Sequence, residues 1–290
     1  MRQAIATVKK TKEIQEKYKV FTKKSFGQNF IIEPGIVEKI ANAAIQSRDE
    51  LVFEIGPGIG ALTQFLCEKS NQVVAFEIDE RLPVVLENEI GFDHLQIVLE
   101  DILKVDIDEK IREFRKPGQK VVFASNLPYY ITTPIIMHIL ENSIHAESIT
   151  VMMQKEVADR IKASPGNKTY GAISAAVQYY CEVEQVISVP KEVFVPRPKV
   201  DSAVLKLTIR KETPVDLIDE KAFFACIKAG FGQRRKTLLN SLTGTYGLSK
   251  DEIRTILEKA GIDPVRRAET LDMNEFADIA NGVASAKQTI

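Results

Sequence analysis

Between residues 51 and 163 the chain alternates short apolar runs with segments of helical length, and this alternation limits the fold more than any other feature. Predicted strands cover 51–55, 72–78, 95–99, 120–125 and 148–153. Predicted helices follow at 61–69, 80–89, 107–114, 133–141 and 155–163, with another at 36–45 ahead of the first strand. The runs are rich in Val, Ile and Phe and lack strict apolar–polar alternation, so both of their faces are buried. Strands of that kind, each followed by a helix of about ten residues, imply a parallel sheet covered on both sides. At 44% hydrophobic residues the chain has enough apolar surface to fill such a core.

Beyond Gly171 the pattern changes. A helix is expected at 172–178. Two strands, 181–189 and 202–209, flank a Pro-rich connection, Phe194-Val-Pro-Arg-Pro-Lys, and would add an antiparallel strand at the end of the sheet. Thr213-Pro214 marks a boundary, and helices are expected at 220–230, 233–243, 249–260 and 274–282. Ser249-Lys-Asp-Glu252 has the pattern of a capping box. The expected organisation is an α/β domain over 1–210, opening with a basic arm at 1–24, and an all-helical domain over 211–290. No internal repeat or low-complexity tract interrupts it.

The net charge of −1 hides an uneven distribution. Residues 1–24 hold eight basic side chains against Glu13 and Glu16, residues 191–211 hold six against two, and residues 228–236 hold four and no acid. Residues 77–113 hold twelve acids and four bases. A chain that averages to zero can present a basic face, and nucleic acid is one partner for it; solvated surface charge is the other reading. The three Cys are scattered and the three His sit near no Cys pair and no HExxH. Neither a disulfide framework nor a zinc site is expected, and a reducing, intracellular compartment is. No apolar run approaches the ~20 residues of a membrane span, and the N-terminus lacks the apolar stretch of a signal peptide.

Three motifs carry chemistry. In Glu54-Ile-Gly56-Pro-Gly58-Ile-Gly60 a Gly-rich turn joins a strand to a helix, and its spacing differs from the Gly-x-Gly-x-x-Gly of dinucleotide sites. An acid two residues before the first glycine disfavours a pyrophosphate. It suits a cationic, phosphate-free ligand such as S-adenosylmethionine, with a dinucleotide site or a plain tight turn as the alternatives. Glu77, at the end of the second strand, is placed to accept hydrogen bonds from a ribose. Asp101, after the third strand, either accepts from an adenine amine or caps a turn. Asn126-Leu-Pro-Tyr129 follows the fourth strand. Its Asn side-chain carbonyl and a backbone carbonyl, that of Leu127, can accept the two N–H bonds of an exocyclic amine. Pro128 fixes the turn, and Tyr129 offers a stacking face for a flipped-out base.

With these motifs the chain resembles the ribosomal RNA adenine N6-dimethyltransferase family, in its small-subunit branch. The resemblance covers nearly the whole chain. It extends to Phe26-Gly-Gln-Asn-Phe30, Pro165-Gly-Asn-Lys-Thr-Tyr-Gly171, Phe194-Val-Pro-Arg-Pro-Lys-Val-Asp-Ser202 and Phe231-Gly-Gln-Arg-Arg-Lys-Thr-Leu-Leu-Asn240. It implies a class I methyltransferase fold, Rossmann-like, with a mostly parallel seven-stranded sheet and a small helical C-terminal domain. It implies S-adenosyl-L-methionine as methyl donor, with Gln28, Asn29 and the Ile31 backbone bordering it, Gly56 packed against it, Glu77 on its ribose and Asp101 on its adenine amine. Gly58, Ile78, Ile102 and Asn126 complete the implied donor site. Asn126 would bind the target amine, and Tyr129 and Phe194 would sandwich the target base. The stretch Asn29-Phe30-Ile31-Ile32-Glu33 departs slightly from the family pattern, which leaves backbone contacts in place.

The partner implied is small-subunit ribosomal RNA within a pre-ribosomal particle, met by a cytoplasmic monomer without a metal. Arg234, Arg235 and Lys236 are expected at the start of a helix, where three cations oppose the helix dipole and so call for phosphate. Arg197 and Lys199 extend the candidate RNA-binding set. The rival readings are a large-subunit adenine methyltransferase conferring antibiotic resistance, which usually carries Ile at the Leu127 position, a non-catalytic ribosome-assembly factor, and a dinucleotide-dependent oxidoreductase.

Overall fold

The structure, a computed structural model, describes residues 3–20 and 29–288. In chain order it contains α1 (Val8–Tyr18), β1 (Phe30–Ile31), α2 (Pro34–Ala44), β2 (Leu51–Ile55), α3 (Ala61–Lys69), β3 (Gln72–Phe76) and α4 (Pro83–Ile90). There follow β4 (Leu95–Val98), α5 (Ile107–Phe114), β5 (Val121–Asn126), α6 (Thr132–Asn142), β6 (Ala146–Gln154), α7 (Lys155–Ile161) and α8 (Ala172–Tyr180). β7 (Cys181–Val189), β8 (Phe194–Val195) and β9 (Ser202–Ile209) precede α9 (Glu220–Gly232), α10 (Leu238–Leu242), α11 (Lys250–Lys259) and α12 (Met273–Gln288).

Seven strands form one sheet in the order β4-β3-β2-β5-β6-β9-β7. β2 pairs in parallel with β3 and β5, β3 with β4, and β5 with β6, while β9 runs antiparallel to β6. The chain steps outward from β2 to β4 and returns to β5 on the other side of β2. That reversal leaves a crevice beyond the carboxyl ends of β2 and β5, where open α/β sheets bind ligands. β2 is buried along its whole length, and its side chains alternate between two cores. Phe53 meets Phe76 and Phe123 edge-to-face at 5.3 Å each, and Phe114 of α5 at 6.2 Å. Val52, on the opposite face, is buried with Ile40 and Ala41 of α2 and Leu66 of α3. Ring pairs of this geometry add about 0.5–1.5 kcal/mol each beyond burial.

The chain divides into two compact units, Met1–Ala158 with Val183–Ile209, and Asp159–Glu182 with Arg210–Ile290. The sequence reading kept 159–182 with the sheet; in the structure this segment joins the C-terminal helices. Its apolar side chains are the reason. Tyr170, Ala175 and Tyr179 are buried in one core with Phe223, Leu238, Ile253 and Phe276. Tyr180 stacks on Phe224 with ring centroids 5.4 Å apart. The capping box of α11 forms as expected: Glu252 N donates to Ser249 Oγ and Ser249 N donates to Glu252 Oε2.

The first segment is a docked helix. Ile5, Ile14 and Val20 are buried with α2, α3 and α4. Lys10 and Lys17 both pair with Glu89 of α4, at 2.7 and 2.8 Å, and the Tyr18 hydroxyl donates to the same carboxylate at 2.9 Å. Burial works against charge on Glu89, but the three donors outweigh it and hold its carboxyl down at about 2. Two of the basic residues expected in a phosphate-binding arm are therefore committed within the fold. Residues 21–24 of that arm lie outside the described residues. Among the described residues no helix is long and apolar enough to cross a membrane, and no cluster of three or more metal-ligating side chains occurs.

Candidate active site

The turn after β2 builds the floor of the crevice. Gly56, Gly58 and Gly60 adopt φ of +66°, +58° and +91°, a region that side chains with a Cβ disfavour. At Gly60 the need is also steric, since a Cβ there would approach Ile90 Cδ1 to 2.6 Å. One pocket opens above this turn, and its lining includes Asn29, Ile31, Gly56, Gly58, Glu77 and Ile78. Asp101, Ile102, Asn126, Leu127, Pro128, Tyr129 and Phe194 line the same pocket. The structure thus brings together every donor- and base-binding residue expected from the sequence except Gln28, which lies outside the described residues.

Two acids set the electrostatics. Glu54 is 1% exposed, and among the described residues its Oε2 has no hydrogen-bond partner. Burial pushes its carboxyl up to about 8; the Thr63 hydroxyl opposes this and Glu77 adds to it. Glu77, one residue beyond β3, is also buried. Its Oε1 accepts from Ile78 N at 2.7 Å and Asp79 N at 2.9 Å, while its Oε2 receives only a long bond from Gly58 N at 3.4 Å. Burial raises its pKa against those three backbone donors. Oε2 thus keeps accepting capacity toward the pocket. Asp101 combines the two roles considered for it. Oδ1 caps the turn at Leu103 N, 3.1 Å, and Oδ2 lies 3.5 Å from the exposed Lys104 ammonium; the residue still lines the pocket. An exposed pair of this kind contributes little and leaves the carboxylate available to exchange its partner.

Opposite the acids stands the end of β5. Asn126 is its last residue, and among the described residues its side chain takes no hydrogen-bond partner. The Pro128 carbonyl accepts from Ile131 N and Thr132 Oγ1, which anchors the turn to the start of α6. Ile55 pairs with Phe76 on one side and Ser125 on the other. Glu77 and Asn126 each lie one residue past those partners, so parallel register alone sets the two groups at the same level of the crevice. The Tyr129 and Ser202 hydroxyls share a 2.7 Å hydrogen bond. Burial, reinforced by Asp201, raises the Tyr129 pKa and keeps its phenol protonated. Phe194 is 3% exposed and packs in the core while one side lines the pocket. Its place is fixed by the two-stranded pairing of β1 with β8, which sets Phe194 opposite Ile31.

Glu54 is expected from the sequence to suit a cationic ligand, and the structure adds its burial. Two further residues, Tyr130 and Ser202, are not among the site residues expected from the sequence. Tyr130 is 61% exposed at the pocket lining; its only signal was an aromatic directly after Tyr129. Ser202 gave no local signal, because only the antiparallel register of β9 brings it to Tyr129. The expected cation-bearing helix start is corrected. Arg234, Arg235 and Lys236 lie in an exposed turn between α9 and α10, and the helix expected over 233–243 is reduced to Leu238–Leu242. Gln233 leaves helical geometry at φ −131° and ψ 71° right after Gly232, which breaks the helix. The dipole argument for these cations therefore does not apply. Arg234 Nη2 donates to Lys168 O at 2.7 Å. Arg197 and Lys199 are exposed in the Phe194 loop, Arg197 3.8 Å from Glu192.

The sheet order, the glycine turn and the acids that follow β3 and β4, Glu77 and Asp101, are those of a class I methyltransferase. A family profile described as ribosomal RNA adenine dimethylase matches residues 20–285. A protein of Oceanobacillus iheyensis named ribosomal RNA small subunit methyltransferase A is 49% identical over 280 residues, covering 96% of this chain and 95% of its own. A protein of the same name from Clostridioides difficile is 49% identical over 272 residues, covering 93% and 94%. The crystal structure of a dimethyladenosine transferase from Plasmodium falciparum superposes with a TM-score of 0.72 at 25% identity, over 90% of this chain and 98% of that one. The 23S rRNA methyltransferase ErmE shares the fold, with a TM-score of 0.65 at 24% identity, over 88% and 99%. The chain belongs to the ribosomal RNA adenine dimethylase family.

Proposed function

We propose that the protein transfers methyl groups from S-adenosyl-L-methionine to N6 of two adjacent adenines near the 3′ end of small-subunit ribosomal RNA. It acts in the cytoplasm, as a monomer, on a pre-ribosomal particle. The observation that carries this reading is the juxtaposition of an orphaned buried carboxyl, Glu54, with an uncommitted carboxamide, Asn126, on adjacent strands of one crevice.

The residues fit the donor. Glu54 Oε2, without a hydrogen-bond partner among the described residues, suits an ammonium. Glu77 Oε2 keeps capacity for ribose hydroxyls, and Asp101 for an adenine amine. Ile78 and Ile102 supply apolar walls, and the Cβ-free surface of Gly56 and Gly58 admits close approach. Asn29 borders the methionine end, and the Ile31 backbone borders the donor. S-adenosylmethionine supplies, when bound, an electrophilic methyl group on sulfur. The chain's own residues do the rest. The Asn126 side-chain carbonyl and the Leu127 carbonyl accept the two N–H bonds of the target amine, which holds the nitrogen lone pair away from the ring system. Tyr129 and Phe194 hold the base between them. No side chain needs to remove a proton before attack, so the contribution is orientation. Arg197 and Lys199 in the sheet unit, and Arg234, Arg235 and Lys236 in the helical unit, meet RNA phosphates, which position the strand without reading it.

Asn126→Ala is expected to lower methyl transfer to undermethylated small subunits by about 100- to 1000-fold, the range for losing one preorganised hydrogen-bonding group. Donor affinity by calorimetry should change by less than about threefold, since the loss falls on the target amine. Undiminished turnover in this variant removes Asn126 from the mechanism.

A further inference from the structure

The helical unit holds a groove that the transfer reaction does not use. α9 presents Ala225, Lys228, Ala229 and Gly232 along one face, and Ser241 of α10 with Tyr246 closes the other side. Between two packed helices this face would ordinarily carry branched apolar side chains. Here small residues leave it open. Tyr246 is held in the left-handed region at φ +55°, between Gly244 at +89° and Gly247 at +80°. A bulky residue rarely adopts that conformation, and it keeps the ring at the groove wall, with Lys287 Nζ 4.7 Å from the ring centroid.

The groove runs through Gly232 and Gln233 into the turn bearing Arg234, Arg235 and Lys236. Lys228 lines the groove, Lys287 lies over the Tyr246 ring, the exposed turn of Arg234, Arg235 and Lys236 follows Gln233 in the chain, and among the described residues no acid is in the lining. Asp219, the acid whose charge reaches the Tyr246 hydroxyl, is committed to capping α9 through Lys221 N. A floor of alanine and glycine beside an aromatic ring admits a flat heterocycle, and a cationic, acid-free rim suits the phosphates on either side of it. A groove for a protein helix would present larger apolar anchors instead.

We propose that this groove seats one unstacked nucleotide of the RNA substrate, with its base against Ala229 and Tyr246 and its flanking phosphates on Arg234, Arg235 and Lys236. The proposal rests on the reading of the chain as an RNA methyltransferase, but concerns a nucleotide other than the target adenines.

The test uses the full-length protein and undermethylated small ribosomal subunits, with base-specific chemical probing of the RNA and binding measured across a salt series. Ala229→Phe fills the groove. Tyr246→Gly removes the ring while accepting the same φ, so it keeps a folded comparison if the first variant misfolds. Both are expected to expose one base, outside the target pair, that the unaltered protein protects, and to weaken binding by about tenfold with an unchanged salt slope. Replacing Arg234 and Arg235 together should instead make the slope shallower. Wild-type protection in both groove variants overturns the proposal. So does weaker binding with every base reactivity unchanged, which would mark a ribosomal protein segment as the occupant. Normal methyl incorporation alongside either result leaves the catalytic reading standing, whereas no incorporation by the unaltered protein removes that reading itself.

Discussion

Buried at the end of β2, the Glu54 carboxyl keeps its proton up to about pH 8, because desolvation penalises its charge and Glu77 adds to the penalty. A carboxyl with a raised pKa binds its proton more tightly folded than unfolded. Its contribution to stability is therefore full below the ordinary 4.5 and is lost as pH rises toward 8. An ammonium brought to the orphaned Oε2 reverses this preference. Donor binding at pH 7 is thus expected to release protons, read by calorimetry in buffers of different ionisation enthalpy. Glu54→Gln should abolish that release, and an unchanged proton count in the variant contradicts the assignment. At the same scale, the hydrogen bond between Tyr129 and Ser202 orients the ring that we propose meets the target base. Ser202→Ala and Tyr129→Phe should each lower kcat/KM by about five- to tenfold, as loss of one hydrogen bond does. Because they remove the same bond, the double variant should be no worse than either alone. Additive losses with weakened donor binding would show that Ser202 only supports the fold. The site's local motifs were legible because each packs its chemistry into a few consecutive residues. Ser202 was not, since 73 residues separate it from Tyr129 and only strand register joins them.

Elements locate these residues, and two of them do so through contacts that no periodicity reveals. β1 and β8 are two residues long, too short for any alternation to show, yet their pairing sets Phe194 against Ile31 at the pocket edge. For α1 the sequence offered only a basic arm, because its docking depends on an acid 72 residues from Lys17. The Glu89 carboxyl is depressed to about 2, so its contribution is present above 4.5 and is lost as pH falls toward 2. Glu89→Gln at pH 7 is expected to weaken α1 docking by about 1.5–3 kcal/mol, the range for hydrogen bonds to charged groups. The measurement is amide hydrogen exchange over residues 8–18, where protection should fall by at least about tenfold. Unchanged protection would mean that Ile5, Ile14 and Val20 hold the helix alone. Similarly, the helix expected over 233–243 was misread because Gly232 and Gln233 end α9 inside an otherwise helical pattern, a break that tertiary packing decides.

For the molecule as a whole, the alternation of apolar runs and helices was enough to read a parallel sheet covered on both faces, which follows from local periodicity. The place of the crevice was not, because it depends on the strand order. The unit boundary was less legible, because Tyr170 and Tyr179 announce apolar character without announcing which core they enter. Charge was the least legible property. Lys10 and Lys17 counted as available cations in the sequence and are both paired with Glu89 in the fold, whereas Arg234, Arg235 and Lys236 stay exposed. What unites these scales is the claim that one crevice holds a cationic methyl donor and an extruded adenine of small-subunit RNA. The most direct measurement is incubation of the protein with radiolabelled S-adenosylmethionine and, separately, undermethylated small and large ribosomal subunits, followed by nucleoside analysis of the RNA. Label recovered as N6,N6-dimethyladenosine at two adjacent positions of small-subunit RNA is the predicted result; label confined to large-subunit RNA, or none in either, would contradict it.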